Sequence, residues 1–184
     1  MIESKLEKIA SDENGTYTIE DYKLSFTDGS RSPETYHIVT FEYRESEIRI
    51  VVQNGFIETA RVIVTLSTYT RPIEFEIDCI SPFENLFLRR KTRFKVKCKN
   101  KNFKHFLENK ALSIFDNVME SENYNPRFYT QEENSNNQIV IEFHLGFENW
   151  TDIFNEITTF LKLIIDELNS DNRFTSNKIY KETN

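Results

Sequence analysis

Residues 46–65, SEIRIVVQNGFIETARVIVT, contain the strongest β-hairpin signal of the chain. Apolar residues alternate with polar ones at Ile48, Ile50 and Val52, as in a strand with one buried face. The returning run, residues 62–65, is rich in β-branched residues. Asn54-Gly55 lies between the two runs and can supply the positive φ angles of a type I′ turn. The stretch therefore predicts two antiparallel strands joined by a tight turn.

The same alternation extends the predicted sheet in both directions from this hairpin. Upstream, residues 22–26 and 37–43 alternate, and downstream residues 73–78 do so after Pro72. The connections are too short for the crossovers that parallel strands need. We therefore predict an antiparallel meander of five successive strands.

Helical patterns enter at the N-terminus and after the meander. Ile2, Leu6 and Ile9 recur at helical spacing, and the capping box Ser81-Pro82-Phe83-Glu84 predicts another helix start. Three more strands are expected at 92–99, around Phe128 and at 139–145, with a polar loop at 131–137, and further helical patterning covers 103–107 and 112–118. Asn149 is predicted to cap the longest helix, whose apolar stripe is Ile153, Ile157, Leu161, Ile164 and Leu168.

These elements predict an α+β fold. We expect a mostly antiparallel sheet of six to eight strands, with the long C-terminal helix and the shorter helices packed on one of its faces. Residues 1–184 show no linker-like stretch, so a single domain is predicted, with 170–184 as a polar tail that can fray.

The composition restricts the class of partner. The formal net charge of −7 argues against a general affinity for nucleic acid or anionic membranes. No signal-peptide core is present, and no apolar run approaches the roughly 18 residues that span a bilayer, so a cytoplasmic protein is expected. Two cysteines are too few for a disulfide framework and lack metal-ligand spacing, so no cofactor or metal is expected.

One predicted strand carries a row of basic residues. Alternation places Arg93, Lys95, Lys97 and Lys99 on one face, which makes them the candidate docking strip for another protein with acidic groups. The pattern favours a structural interpretation over docking, in which these cations are solvated or pair across strands with the acidic residues of 73–78. The strand order decides whether that pairing is possible.

Weaker candidates point to an enzyme. Glu142 and His144 lie two residues apart on a predicted strand and share a face, as an acid–base pair would, but His37 and His105 complete no metal-binding motif. Cys98 is predicted to lie on an apolar face, and Cys79 follows an acidic strand that would raise its thiol pKa.

The start of the last helix carries an acidic group and the only tryptophan. Glu148, Asp152 and Glu156 are four residues apart, which is typical of a solvated helix face and also fits a binding face for a basic partner. Trp150 is interpreted as a core residue because Ile153 and Phe154 beside it are core-like.

Three functional hypotheses follow, in order of preference. The first is a non-catalytic protein-interaction module with charged surfaces, an accessory or inhibitor-like protein of a bacterial system of which small acidic immunity proteins are an example. The second is a small-molecule-binding domain with an apolar cavity under the last helix, lined by Phe143, Phe154 and Phe160. The third is an enzyme that uses Glu142 and His144 or a cysteine.

Overall fold

The structure, a computed structural model, describes residues 2–80, 93–116, 124–146 and 150–179, with side chains up to Ser170 in the last range. It has the predicted α+β architecture. The strands are β1 Thr16–Ser25, β2 Arg31–Tyr43, β3 Ser46–Asn54, β4 Thr59–Thr65, β5 Phe75–Cys79, β6 Phe94–Cys98, β7 Arg127–Glu133 and β8 Asn136–His144. The helices are α1 Ile2–Asp12, α2 Lys101–Phe106 and α3 Ile153–Ile179, with short π and 3₁₀ segments at Leu107–Ala111, Leu112–Phe115 and Trp150–Asp152.

The eight strands form one antiparallel sheet in the order β1-β2-β3-β4-β8-β7-β5-β6. The meander prediction is confirmed for the first four strands and wrong for the fifth, because β8 and β7 lie between β4 and β5. β8 suits this central place, since Ile139, Val140 and Ile141 are all fully buried. Alternation shows which face of a strand is buried, but it does not show which strand is its neighbour.

Two turns differ from their predictions. The predicted loop at 131–137 is wrong, because β7 runs to Glu133 and β8 begins at Asn136, with a two-residue turn of positive φ at Asn134 and Ser135. The side chains of Gln131 and Gln138 join these strands at 2.8 Å. The tight turn at Asn54-Gly55 is also wrong, since β3 ends at Asn54 and a four-residue loop precedes Thr59.

All described helices lie on one face of the sheet. The Phe160 ring of α3 packs against Phe128 of β7 at 5.2 Å between centroids, and Phe103 of α2 packs against Phe75 of β5 at 5.8 Å. α1 adds Leu6, which is fully buried in the same core cluster. The helices therefore cover the face that supplies most of the apolar core.

Several predicted features lie outside the described residues. They are the helix starting at Ser81-Pro82-Phe83-Glu84, the end of the predicted helix 112–118, and Asn149 as a helix cap. The predicted N-terminal helix is present as α1, and the backbone of α3 is helical to Ile179, within the segment predicted as a tail. Among the described helices, none combines the length and the apolar character needed to cross a bilayer.

Candidate interaction surface

The face of the sheet opposite the helices is one on which no described helix or strand packs. We call it the open face. Alternation brings Ile38, Val51 and Ile63 together there, since Ile38 lies opposite Val51 on β3 and Ile63 lies opposite Val140 on β8. Antiparallel sheets often leave one face to water, but that face is then usually polar. An apolar centre on the open face is therefore a candidate binding feature.

A groove of about 570 Å³ lies over β1–β4 on the open face. Ile38, Val51 and Ile63 form its apolar floor. Tyr22 of β1, 53% exposed, and Tyr36 of β2 stand on one side with their rings edge to face at 5.3 Å. We call this the β1–β4 groove.

Two arginines give the β1–β4 groove its charge. Arg49 is exposed and makes no ion pair within the described part of the chain. Arg61 donates from Nε to Glu142 at 3.0 Å. The lining also includes Lys23 and Glu20, so positive groups outnumber negative ones in a protein whose net charge is −7. Tyrosine and arginine are, with tryptophan, enriched among the residues that carry most of the binding energy at protein interfaces.

An exposed aromatic cluster lies at the end of the groove. Phe56, 70% exposed on the β3–β4 loop, packs edge to face on Phe26 at 5.3 Å. The loop is fixed by Glu34, a buried residue whose Oε1 accepts from the Phe56 backbone N–H at 2.8 Å and whose Oε2 accepts from Gln53 Nε2 at 3.0 Å. A buried carboxylate thus holds an exposed ring in place.

The other half of the open face is a network of charges. Glu76 of β5 accepts from Lys97 and from Arg127, each at 2.9 Å, and Lys97 also donates to Asp78 at 2.8 Å. These hydrogen bonds from Lys97 and Arg127 lower the pKa of the Glu76 carboxyl. The network spans β6, β5 and β7 and is neutralised largely within the fold.

The predicted basic strip belongs to this network. β5 and β6 are neighbours, with Glu76 opposite Lys97 and Asp78 opposite Lys95. Lys97 is doubly paired, and Lys99 lies 3.7 Å from Glu74 with both side chains almost fully exposed. Lys95 makes no ion pair in the described ranges, and Arg93 is partly buried and donates to the Ile80 carbonyl at 3.4 Å. The four side chains therefore lie on one face of the sheet, but their contacts and exposure differ.

No hydrogen bond or ion pair joins the described side chains of Glu142 and His144, the predicted acid–base pair. Glu142 accepts from Arg61 and from the Tyr129 hydroxyl at 3.0 Å, while His144 is exposed at the end of β8. His37 is buried on the helix-covered face and is hydrogen-bonded through Nδ1 to the Tyr17 hydroxyl at 2.8 Å. Among the described residues, no group of three or more His, Cys, Asp or Glu side chains could hold a metal ion.

The cysteines lie at the margin of the core. Burial, more than the acidic neighbour Asp78, raises the pKa of Cys79 to about 12. Burial also raises the pKa of Cys98, which packs against the core at the end of β6 without being fully buried. Both directions oppose thiolate formation at neutral pH.

The residues predicted around the last helix fall into different roles. Trp150 is partly buried and packs on Phe154 at 6.2 Å, and Asp152 pairs with Lys5 of α1. Glu148 lies outside the described residues. Phe143 and Phe154, predicted to line a cavity with Phe160, are almost fully buried and pack on each other at 6.0 Å.

Comparisons of the chain with protein-family models, with curated proteins and with solved structures gave no significant match. No relative therefore supplies a function for this chain, and its own surface has to indicate one.

The sequence analysis did not single out Arg49, Arg61 or the tyrosines of the β1–β4 groove. The sequence shows that Tyr36, Ile38 and Thr40 share one face of their strand and that Arg49 and Val51 share one face of theirs. Only the strand register brings these residues into one groove.

Proposed function

We propose that this chain is a non-catalytic protein-interaction module whose main binding surface is the β1–β4 groove. The observation that carries the proposal is an apolar floor of Ile38, Val51 and Ile63 on the face where no described helix packs, flanked by tyrosines and by Arg49. Such a groove offers apolar area for desolvation and a cation for orientation.

The occupant that fits this chemistry is a segment of another protein with an apolar anchor and a nearby carboxylate. The apolar anchor would cover the half-buried side chains of Val51 and Ile63. The carboxylate would pair with Arg49, which has no ionic partner in the described ranges. Salt would weaken this pair and leave the apolar contact largely unchanged.

The basic strip of Arg93, Lys95, Lys97 and Lys99 remains a second docking candidate within the same proposal. It borders a groove of about 670 Å³ that also includes Glu74 and Glu76. We rank it below the β1–β4 groove because the chain's own carboxylates already occupy Lys97. A cytoplasmic, accessory or inhibitor-like role in a bacterial cell, of which small acidic immunity proteins are an example, is the setting proposed for the module.

Affinity capture with matched variants tests the proposal. Wild type, an Arg49→Glu/Ile63→Asp groove variant, a Lys95→Glu/Lys97→Glu strip variant and a Lys101→Glu control on the helical face would be used as baits in a lysate of the source organism. We expect a partner that is retained by wild type, the strip variant and the control, and lost by a folded groove variant.

Panning of a random peptide library identifies the chemistry of the occupant. Peptides selected on wild type and counter-selected on the groove variant should be enriched in an apolar residue close to Asp or Glu. Loss of the partner only with the strip variant would move the interface to β6. Equal retention by every folded bait, or peptides without acidic enrichment, would refute the groove proposal.

A further inference from the structure

The two edges of the sheet differ in how they are protected against pairing. β6 is only five residues long and carries Lys95 and Lys97, a short, lysine-bearing strand of the kind that discourages pairing. β1 is ten residues long and contains no proline. Within the described chain β1 pairs only with β2, so the backbone groups on its other side have no described strand as partner. Among the described residues, nothing pairs with the outer side of β1, so we take this edge as the one that can accept a further strand.

The side chains of β1 combine apolar exposure with charge. Ile19 and Tyr22 are 48% and 53% exposed on this edge strand. Glu20, Asp21 and Lys23 are exposed as well. Charges on an edge strand normally oppose pairing, so the outcome depends on which charges a second strand places opposite them.

Two copies of β1 can pair only in a restricted set of registers. In an antiparallel pair opposite residues share a face, and a two-fold axis perpendicular to the sheet keeps each residue on its own face. In every allowed register, one residue therefore lies opposite its own copy, and the two-fold axis passes between the two. We name each register by that residue. Axes at Glu20, Asp21 or Lys23 place like charges directly opposite each other, which is destabilising.

An axis at Tyr22 gives the opposite result. Asp21 of each copy then lies opposite Lys23 of the other, so two oppositely charged pairs form by symmetry. Glu20 lies opposite Leu24, and the residues 19–25 of both copies are paired. An axis at Ile19 avoids like charges but forms no ion pair. Charge complementarity thus selects the register centred on Tyr22.

We propose that the chain forms a homodimer by antiparallel pairing of β1 with β1 about a two-fold axis at Tyr22. The two eight-stranded sheets become continuous, and the two β1–β4 grooves lie on the same face, with the Tyr22 side chains adjacent at the axis. The dimer does not depend on the proposed function, since it requires no other protein.

A charge-swap experiment tests the register. Sedimentation velocity would be measured for wild type, Asp21→Lys, Lys23→Asp and the double variant Asp21→Lys/Lys23→Asp, over roughly 1 µM to 1 mM protein. We expect a wild-type dimer, a dissociation constant raised about tenfold or more in each single variant, and recovery in the double variant. Circular dichroism at each step confirms that the variants are folded.

Mixing the two single variants gives an independent readout. An Asp21→Lys chain and a Lys23→Asp chain form two complementary pairs with each other, so an equimolar mixture should dimerise although each variant alone does so weakly. Wild type that is monomeric up to roughly 1 mM would overturn the proposal. A dimer whose dissociation constant is unchanged by the charge swaps would also overturn it, because the contact would then lie elsewhere. Neither result bears on capture of a partner by the groove.

Discussion

Glu34 holds the β3–β4 loop beside the β1–β4 groove. Its carboxylate is buried, and it accepts hydrogen bonds from the Phe56 backbone and from Gln53. A Cβ atom at Gly55 would lie 2.4 Å from Glu34 Oε2, so the loop closes directly over the carboxylate. The Glu34 carboxylate thus holds a four-residue loop at the position where the sequence predicted a tight turn.

We predict that Glu34→Ala lowers the free energy of unfolding by about 1–3 kcal/mol, because it leaves the Phe56 N–H without its buried acceptor. Urea unfolding measures the loss, and hydrogen exchange at the Phe56 amide should accelerate. Glu133→Ala, at an exposed position of β7, is the control and should change stability by less than about 0.5 kcal/mol. Equal effects of the two substitutions would show that Glu34 is not a structural acceptor.

Cys79 makes stability depend on alkaline pH. Because burial raises its pKa from 9.0 to about 12, the folded state holds the thiol proton more tightly than the unfolded state. The stabilising contribution is present below pH 9 and is lost as the pH rises from 9 towards 12.

We therefore expect the urea midpoint of wild type to fall more steeply above pH 9 than that of Cys79→Ala. Measurements from pH 7 to 11 give the two profiles, with Cys98→Ala as the matched cysteine control. Parallel profiles for wild type and Cys79→Ala would mean that the thiol titrates alike in both states. At pH 8, alkylation of Cys79 should be slow until the protein is unfolded.

The junction of α1 and β1 depends on a close approach of two backbone segments. Gly15 N–H donates to the Ala10 carbonyl at 2.7 Å and ends the helix. A Cβ atom at Gly15 would lie 2.4 Å from the Thr40 carbonyl oxygen of β2. Glycine is needed here for space, which lets α1 lie against the sheet.

Gly15→Ala should lower the free energy of unfolding by about 1–3 kcal/mol, since backbone must move to admit the methyl group. The control is Gly146→Ala, where an added Cβ meets nothing within 4 Å. Chemical denaturation of both variants provides the comparison. An unchanged or increased free energy of unfolding for Gly15→Ala would show that the α1–β1 junction admits a methyl group without cost.

Most strands and helices could be predicted because their alternation and spacing record which face is buried. Strands 37–43, 48–52 and 62–65 and the stripe from Ile153 to Leu168 were all legible in this way. The pairing of the strands could not be predicted, because the pattern around Val62 fits any apolar strand as its neighbour. Only the fold places Val62 opposite Ile141. The same limit applied to the strip, whose environment depends on β5 lying beside β6.

The two faces of the eight-stranded sheet differ in composition and in what packs on them. The helix-covered face carries most of the apolar core, including Phe128, Phe143 and Phe160. The open face holds the charge network at one side and the β1–β4 groove at the other. The predicted cavity under the last helix receives no support from this arrangement, because the rings expected to line it pack on their neighbours.

Site-specific photo-cross-linking in the source lysate shows whether a partner binds the β1–β4 groove. One bait carries the photoreactive residue at Val51 on the groove floor, and a matched bait carries it at Lys8 on the exposed side of α1. We predict a protein cross-linked from Val51 and absent from Lys8, with its yield abolished by Arg49→Glu. Cross-linking of a specific partner from Lys8 but not from Val51 would contradict the assignment of the open face as the binding surface.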